Sequence, residues 1–378
     1  MAAAGRFRGM PVPGVRGLAP YVPGKPVSEL ERELGLAGSI KLASNENPLG
    51  PPAASVAAAR AAAADVGWYP DGGAFALKRA LAERFGLPPE GITVGNGSND
   101  VLAMVAQAFL GPGSNAVYGA HAFAVYALAT QATGAESRVV PARPADGSQP
   151  LGNDLAALAT AVDERTRVVF IANPNNPTGT WCGATELREF LERLPADVLV
   201  VLDEAYAEYV TAADYPDALP WLARFPNLLI ARTFSKIYGL AGLRVGYALS
   251  DPAVAELLNR VRQPFNVGSP AQAAALAALA ADDHVARSRS LNTSGRDALR
   301  AGLTAFGWRV PESMGNFVLA DTGGPAQPWY DHLLRRGVIV RPVANYGLPC
   351  HLRITVGLPE HTARLLDALA AIRRELQP

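Results

Sequence analysis

Three short stretches, Val168–Ala172, Val198–Leu202 and Leu228–Ala231, are unbroken apolar runs rather than alternations of apolar and polar residues. A strand reads that way when both of its faces are covered, which is the condition of a parallel sheet wrapped by helices. From about Ile92 onward, runs of this kind alternate with longer amphipathic stretches, the order expected of an α/β fold. Ala53–Ala64 reads as helix, because alanine has the highest intrinsic helix propensity. The apolar periodicity around Leu365–Leu376 predicts a closing helix. Ligands of open α/β sheets lie just beyond the carboxyl ends of the strands, so the residues that follow each run carry the functional information.

Those residues are polar. The first run leads into Asn173-Pro174-Asn175-Asn176-Pro177-Thr178-Gly179, the second into Asp203-Glu204-Ala205-Tyr206, and the third into Thr233-Phe234-Ser235-Lys236. Taken singly, each has a structural explanation: a proline-rich turn, a helix-capping aspartate, a surface serine and lysine. Together, at successive strand ends, they place an amide, a carboxylate, a phenol, a hydroxyl and an amine around one crevice. Upstream, Ile92-Thr93-Val94 runs into Gly95-Asn96-Gly97-Ser98-Asn99-Asp100 and then an apolar helical stretch, Val101–Leu110. Small residues before a helix let a phosphate approach the backbone N–H groups; a glycine turn capped by Ser98 or Asn99 is the alternative.

The charge balance points to small-molecule ligands. With 34 basic and 34 acidic residues, no overall field would gather nucleic acid or an anionic membrane surface. Anion binding would then rest on a few aimed arginines or backbone N–H groups. The two cysteines, Cys182 and Cys350, form neither a metal-ligand spacing nor a disulfide framework, which fits a reducing compartment and no metal. Met1–Met10 carries Arg6 and Arg8 but no apolar signal core, and Ala273–Ala281, the longest alanine-leucine run, is far shorter than the ~20 residues of a membrane span. A cytoplasmic protein is expected.

A longer ordered series of motifs is similar to one family. Lys41-Leu42-Ala43-Ser44-Asn45-Glu46-Asn47-Pro48, Tyr69-Pro70-Asp71, Asn175–Gly179, Asp203–Tyr206, Thr233–Lys236, Gly239–Gly246 and Leu352–Gly357 resemble fold-type I aminotransferases, and within them the histidinol-phosphate aminotransferase branch. The resemblance runs from about Tyr21 to about Gly357. It implies a large domain with a mostly parallel sheet (residues 45–265), a smaller α+β C-terminal domain (266–378) and an N-terminal arm (1–44) that joins the small domain and a dimer. It also implies pyridoxal 5'-phosphate as cofactor and a site between the domains.

By the same resemblance, Lys236 would carry the cofactor as a Schiff base and then act as the base that moves a proton. Asp203 would face the pyridine nitrogen, and Asn176 and Tyr206 the ring's phenolic oxygen. Phe123 would stack on the ring, with Tyr126 a competing candidate because His121-Ala122 replaces the proline-threonine pair of many relatives. Ser98, Asn99, Ser235 and Arg244 would hold the phosphate, and Tyr69 would reach it from a second subunit, so a homodimer is implied. His121 reads as structural, since the lysine already supplies a base.

Tyr21, Arg341 and Arg353 match positions that bind the substrate's phosphate or the carboxylate of glutamate. Histidinol-phosphate:2-oxoglutarate transamination in histidine biosynthesis is the implied reaction. The alternative is an aromatic aminotransferase acting on phenylalanine or tyrosine, whose relatives share Tyr21–Lys25 and both arginines. Another enzyme of the same fold would keep Lys236 and Asp203 while breaking a different bond. A non-catalytic regulator would need a DNA-binding module ahead of residue 41, for which the neutral chain leaves no room.

Overall fold

A computed structural model describes residues 9–376. Residues 1–8, the greater part of the stretch expected to lack a signal core, lie outside the described residues, as do 377–378. A seven-stranded sheet organises the larger part: β2 (Ile92–Gly95), β3 (Asn115–Gly119), β4 (Glu136–Val140), β5 (Thr166–Ala172), β6 (Leu199–Asp203), β7 (Leu228–Thr233) and β8 (Gly246–Ser250), with β1 (Ile40–Lys41) lying apart in the N-terminal arm. The sheet order is β2-β8-β7-β6-β5-β3-β4. Only β8 runs against its neighbours; the other pairs are parallel. The three apolar runs are β5, β6 and β7, and every residue of β6 is buried.

Because β2, β3, β5, β6 and β7 point the same way, their carboxyl ends share one edge of the sheet. The reversed β8 brings its amino end to that same edge. One apolar cluster, with Val169, Ile171, Val200 and Leu202, fills one face of the sheet, and another, with Val168, Phe170, Leu199 and Val201, fills the other. This is the division that alternating side chains of a doubly covered strand produce.

A second core lies under the antiparallel sheet β11-β12-β9, made of β9 (Phe317–Asp321), β11 (Arg341–Val343) and β12 (Leu348–Thr355), with β10 (Val338–Ile339) beside it. Here β1 of the N-terminal arm pairs with β10, and Leu42 packs with Leu299, Leu303, Val318 and Ile354. The helix Ser269–Leu279 lies beyond residue 265, yet its buried Ala271, Ala274, Ala275 and Ala278 join the core of the large sheet. The two cores meet along the long helix Asp282–Ala305, which gives Val285 to one and Leu299 and Leu303 to the other. The alanine-rich helix spans Ala53–Ala62, and the closing helix starts at Pro359, ahead of the expected Leu365. Among the described residues no helix is long and apolar enough to cross a membrane.

Candidate active site

At the shared edge of the large sheet lies a cavity of about 180 Å³, closed on the far side by β11, β12 and the N-terminal arm. Tyr21, Ser98, Asn99, Phe123, Asn176, Asp203, Tyr206, Ser235, Lys236, Arg244, Arg341 and Arg353 all line it. The sheet explains most of this convergence. Ser98 and Asn99 follow β2, Phe123 follows β3, Asn176 follows β5, Asp203 ends β6 and Tyr206 follows it, Ser235 and Lys236 follow β7, and Arg244 precedes β8. Tyr69 is not brought in: it is 82% exposed and stacks on Phe265 at 4.6 Å.

Two adjacent carboxylates stand at the end of β6, Asp203 as its last residue and Glu204 just after it, and they turn to different partners. Glu204, 1% exposed, receives two hydrogen bonds from Arg232 of β7, at 2.9 and 2.7 Å. Asp203, also buried, has only neutral partners: the Tyr126 hydroxyl donates to Oδ2 at 2.9 Å and the Ala205 N–H to Oδ1 at 3.3 Å. Desolvation pushes its carboxyl up to about 6. Asp203 is therefore the carboxylate available to a cationic guest.

The Lys236 amine donates to the Ser44 carbonyl at 3.3 Å. Desolvation, and then the charge of Arg353, bring it down to about 8. An amine so placed is neutral in an appreciable fraction of molecules near pH 8, which is the condition for a nucleophile or a base.

Beside it is a cradle suited to an anion. Ser98 is the first residue of the helix Ser98–Phe109, not its cap; Gly97 occupies the cap position at φ 81° without a side chain. A Cβ on Gly97 would meet Arg244 Nη2 at 2.4 Å, and one on Gly246 would meet the Ser98 nitrogen at 2.5 Å. Only glycine lets the arginine and the helix start come this close. Arg244 Nη1 donates to Ser235 Oγ at 3.4 Å and to the Ala241 carbonyl at 3.0 Å, both neutral.

Across the cavity, Arg341 of β11 and Arg353 of β12 are direct cross-strand partners. Like charges at that position repel, so the pair calls for an anion. Arg353, 7% exposed, donates to Asn176 Oδ1 and to the Ala43 carbonyl, each at 2.6 Å, and its buried Nε has no partner. Arg341 donates to the Val22 carbonyl at 2.8 Å, tying the arm that carries Tyr21 to the same strand. Tyr21, Gly24, Phe123 and Arg341 also border an adjoining apolar chamber of about 900 Å³.

Two residues act here without a distinguishing signal in the sequence. Tyr126 does not line the cavity: it is fully buried, stacks on Phe170 at 4.8 Å and spends its hydroxyl on Asp203. Phe123, three residues earlier, is the ring that faces the cavity. Asn45 lines it too and donates to the Tyr206 hydroxyl at 2.9 Å. His121 lies outside the lining, its Nδ1 2.7 Å from the Tyr346 carbonyl.

Pyridoxal phosphate, which the resemblance calls for, fits these groups. A protonated ring nitrogen answers the desolvated Asp203, a phosphate answers Arg244 and the glycine-lined helix start, and an aldehyde answers the neutral-leaning amine of Lys236.

Comparison with known proteins agrees. Residues 37–371 match the family model "Aminotransferase class I and II". Histidinol-phosphate aminotransferase 2 of Pseudomonas fluorescens Pf-5 is 59% identical over 371 residues, 98% of this chain and 99% of the relative. Its namesake from Pseudomonas aeruginosa PAO1 is 57% identical over 97% and 98%. The crystal structure of histidinol-phosphate aminotransferase from Sinorhizobium meliloti, in complex with pyridoxal-5'-phosphate, superposes with a TM-score of 0.87 at 30% identity, covering 97% of this chain and 98% of that one. N-Succinyldiaminopimelate aminotransferase from Mycobacterium tuberculosis gives 0.84 at 26% identity over 96% and 99%. Matched along nearly its whole length, this chain belongs to the class I and II aminotransferases, in the histidinol-phosphate aminotransferase family.

Proposed function

We propose that the protein is a pyridoxal-phosphate-dependent aminotransferase that moves the amino group of histidinol phosphate to 2-oxoglutarate, in histidine biosynthesis. The observation that carries this is that Asp203, Lys236, Arg244 and Arg353 converge on one cavity, yet all their hydrogen-bond partners are neutral. Leaving charges without counter-charges is costly unless a ligand supplies them. When bound, the cofactor supplies an aldehyde for the substrate amine and a ring that draws electrons from the reacting carbon.

The chain's residues do the rest. Lys236 would hold the cofactor through its amine, then take a proton from the substrate carbon and return it. Asp203, fixed by Tyr126, would keep the ring nitrogen protonated. Asn176 and Tyr206 would direct hydrogen bonds to the ring's phenolic oxygen, with Phe123 against the ring face. Ser98, Asn99, Ser235 and Arg244 would hold the phosphate. Arg341, Arg353 and Tyr21 would receive the donor's phosphate in one half-reaction and a carboxylate of the acceptor in the other, since a guanidinium fork suits both anions.

A homodimer completes this reading, with the partner subunit's Tyr69 reaching the phosphate. Its support is the exposure of Trp68, Tyr69, Phe75 and Phe265 on one chain. Mixing Lys236→Ala with Tyr69→Phe subunits should restore activity above either parent; no recovery after confirmed subunit exchange rules against the shared site. The two cysteines, unpaired, are in keeping with a cytoplasmic setting.

The adjoining apolar chamber, bordered by Tyr118, Leu128, Val139, Tyr330 and Tyr346, favours aromatic amino acids as second donors. A donor screen with 2-oxoglutarate decides. Histidinol phosphate should be turned over well ahead of phenylalanine, tyrosine and aspartate; efficient phenylalanine turnover with little from histidinol phosphate overturns the first reading.

A further inference from the structure

Tyr206 has one hydroxyl proton, and where it goes depends on what surrounds the oxygen. Asn45 Nδ2 lies 2.9 Å from that oxygen. The backbone N–H of Asn45 donates to Thr355 Oγ1 at 3.0 Å, and Thr355 Oγ1 lies 3.0 Å from Asn45 Oδ1. Asn45 and Thr355 are 1% and 2% exposed, so water does not substitute for a missing partner. Asn316 of the segment before β9 further pins Asn45 by donating to its carbonyl at 2.9 Å, and the Asn45 backbone is held at φ 57°, a left-handed conformation that asparagine tolerates.

Donor and acceptor chemistry then leaves one consistent assignment. The backbone N–H can only donate, so Thr355 Oγ1 accepts there and its own proton goes to Asn45 Oδ1. That fixes the amide, and Nδ2 donates to Tyr206. With the amide reversed, Thr355 would receive two hydrogens while its own proton lacked an acceptor in a buried place, which is costly. Since its oxygen already receives a hydrogen from Asn45, Tyr206 turns its proton toward the cavity.

We propose that Asn45, oriented by Thr355, is a positioning residue that compels Tyr206 to act as a hydrogen-bond donor into the cavity. The relay starts on β12 of the small core and ends just beyond β6 of the large sheet, so the packing of the two parts sets the polarity of the site. A phenol that receives a hydrogen bond is also a stronger donor. The charged groups facing Tyr206 are Arg353 from β12, Asp203 from β6 and the Lys236 amine, 5.7 Å from the ring centre. None of these donates to or accepts from its hydroxyl, so the amide alone orients it.

This rests on the reading that Tyr206 faces the phenolic oxygen of pyridoxal phosphate. The test follows the visible absorption of the cofactor-loaded protein as pH is varied, which reports the proton on the nitrogen joining Lys236 to the cofactor. A donor to the phenolic oxygen stabilises its anionic form; weakening that donor leaves more negative charge beside the nitrogen and raises the midpoint.

Tyr206→Phe should raise it. Thr355→Val, uncharged, near-isosteric and outside the cavity lining, lets the amide reverse and capture the Tyr206 proton; it should raise the midpoint by ~0.5 to 1 pH unit, three- to tenfold in the proton equilibrium. Thr355→Ser, which keeps the hydroxyl, should restore it, and Thr355→Val should add nothing in a Tyr206→Phe background, an outcome that mere structural damage would not give. Asn45→Ala, should the valine variant fold poorly, is expected to move the midpoint the same way by less. An unmoved midpoint in Thr355→Val or Asn45→Ala, alongside a shifted Tyr206→Phe, overturns the relay alone. An unmoved midpoint in Tyr206→Phe overturns the reading of Tyr206 on which the relay stands.

Discussion

The two walls of the cavity are built on different terms. On the sheet side, Asp203, Lys236, Ser235 and Arg244 are set by the ends of strands that are almost wholly buried, so a few consecutive residues determine where each group points. On the opposite side, Arg353 is held through Ala43 and Arg341 through Val22, partners 310 and 319 residues away. In the proposed reaction the sheet side would act alike on any amino donor, whereas the far side would meet the part of the substrate that differs between donors. The edge of the large sheet would then carry the chemistry, and the composite wall of arm and small sheet the choice of substrate.

If this division is sound, damage to the sheet side should be large and blind to the donor. Lys236→Ala should lower the turnover of every donor by at least ~10⁴-fold, the upper end of what a positioned base contributes, with thermal denaturation showing the fold intact. Donor-dependent losses would show that the sheet side also selects the donor. Asp203→Asn should bind cofactor yet lose on the order of a hundredfold in kcat, the scale of removing a preorganised electrostatic partner; near-normal turnover would refute its role.

Damage to the far side should be smaller and selective. Arg353→Ala is expected to harm both half-reactions. Arg341→Ala should penalise histidinol phosphate more than glutamate, by about 1 to 3 kcal/mol, since a phosphate offers more acceptors to a second guanidinium. Equal penalties, measured as kcat/KM for each half-reaction, would argue against a specificity wall.

The smallest effects are on stability without cofactor. Between about 8 and the ordinary 10.5, the unfolded chain binds a proton at Lys236 that the folded chain lacks, so this group makes stability rise with pH across that window. Between the ordinary 3.8 and about 6, the folded chain holds a proton at Asp203 that the unfolded chain lacks, so stability falls as pH rises there. Urea titrations should find the first slope flattened in Lys236→Met and the second in Asp203→Asn. Slopes of opposite sign would mean that the two groups are not desolvated as described.

The same contrast governs how much could be read from the chain alone. The apolar runs of β5, β6 and β7 announced a buried parallel sheet, and the polar residues after each run announced the site. Local pattern suffices there because one short segment delivers both strand and side chain. Pattern alone left Tyr126 in competition with Phe123, which the resemblance favoured and which lines the cavity, because which of two aromatics near the start of one helix faces the cavity depends on Phe170 behind and Asp203 in front. It was silent on the role of Asn45, whose function lies in a hydrogen bond to Thr355 across 310 residues. Nor did composition reveal that Ser269–Leu279 packs under the large sheet, since alanine-rich helices suit either core.

That separation of 310 residues between Ala43 and Arg353 also has a meaning in time. At 5–20 residues per second of synthesis, roughly 15 to 60 seconds pass between the emergence of the two residues from the ribosome. All seven strands of the large sheet lie between Ile92 and Ser250, so they are available to pair while the arm still waits. The nascent chain can therefore assemble the strands of its large sheet well before it is able to enclose Arg353, and the buried charge arrives late, followed by the closing helix that starts at Pro359.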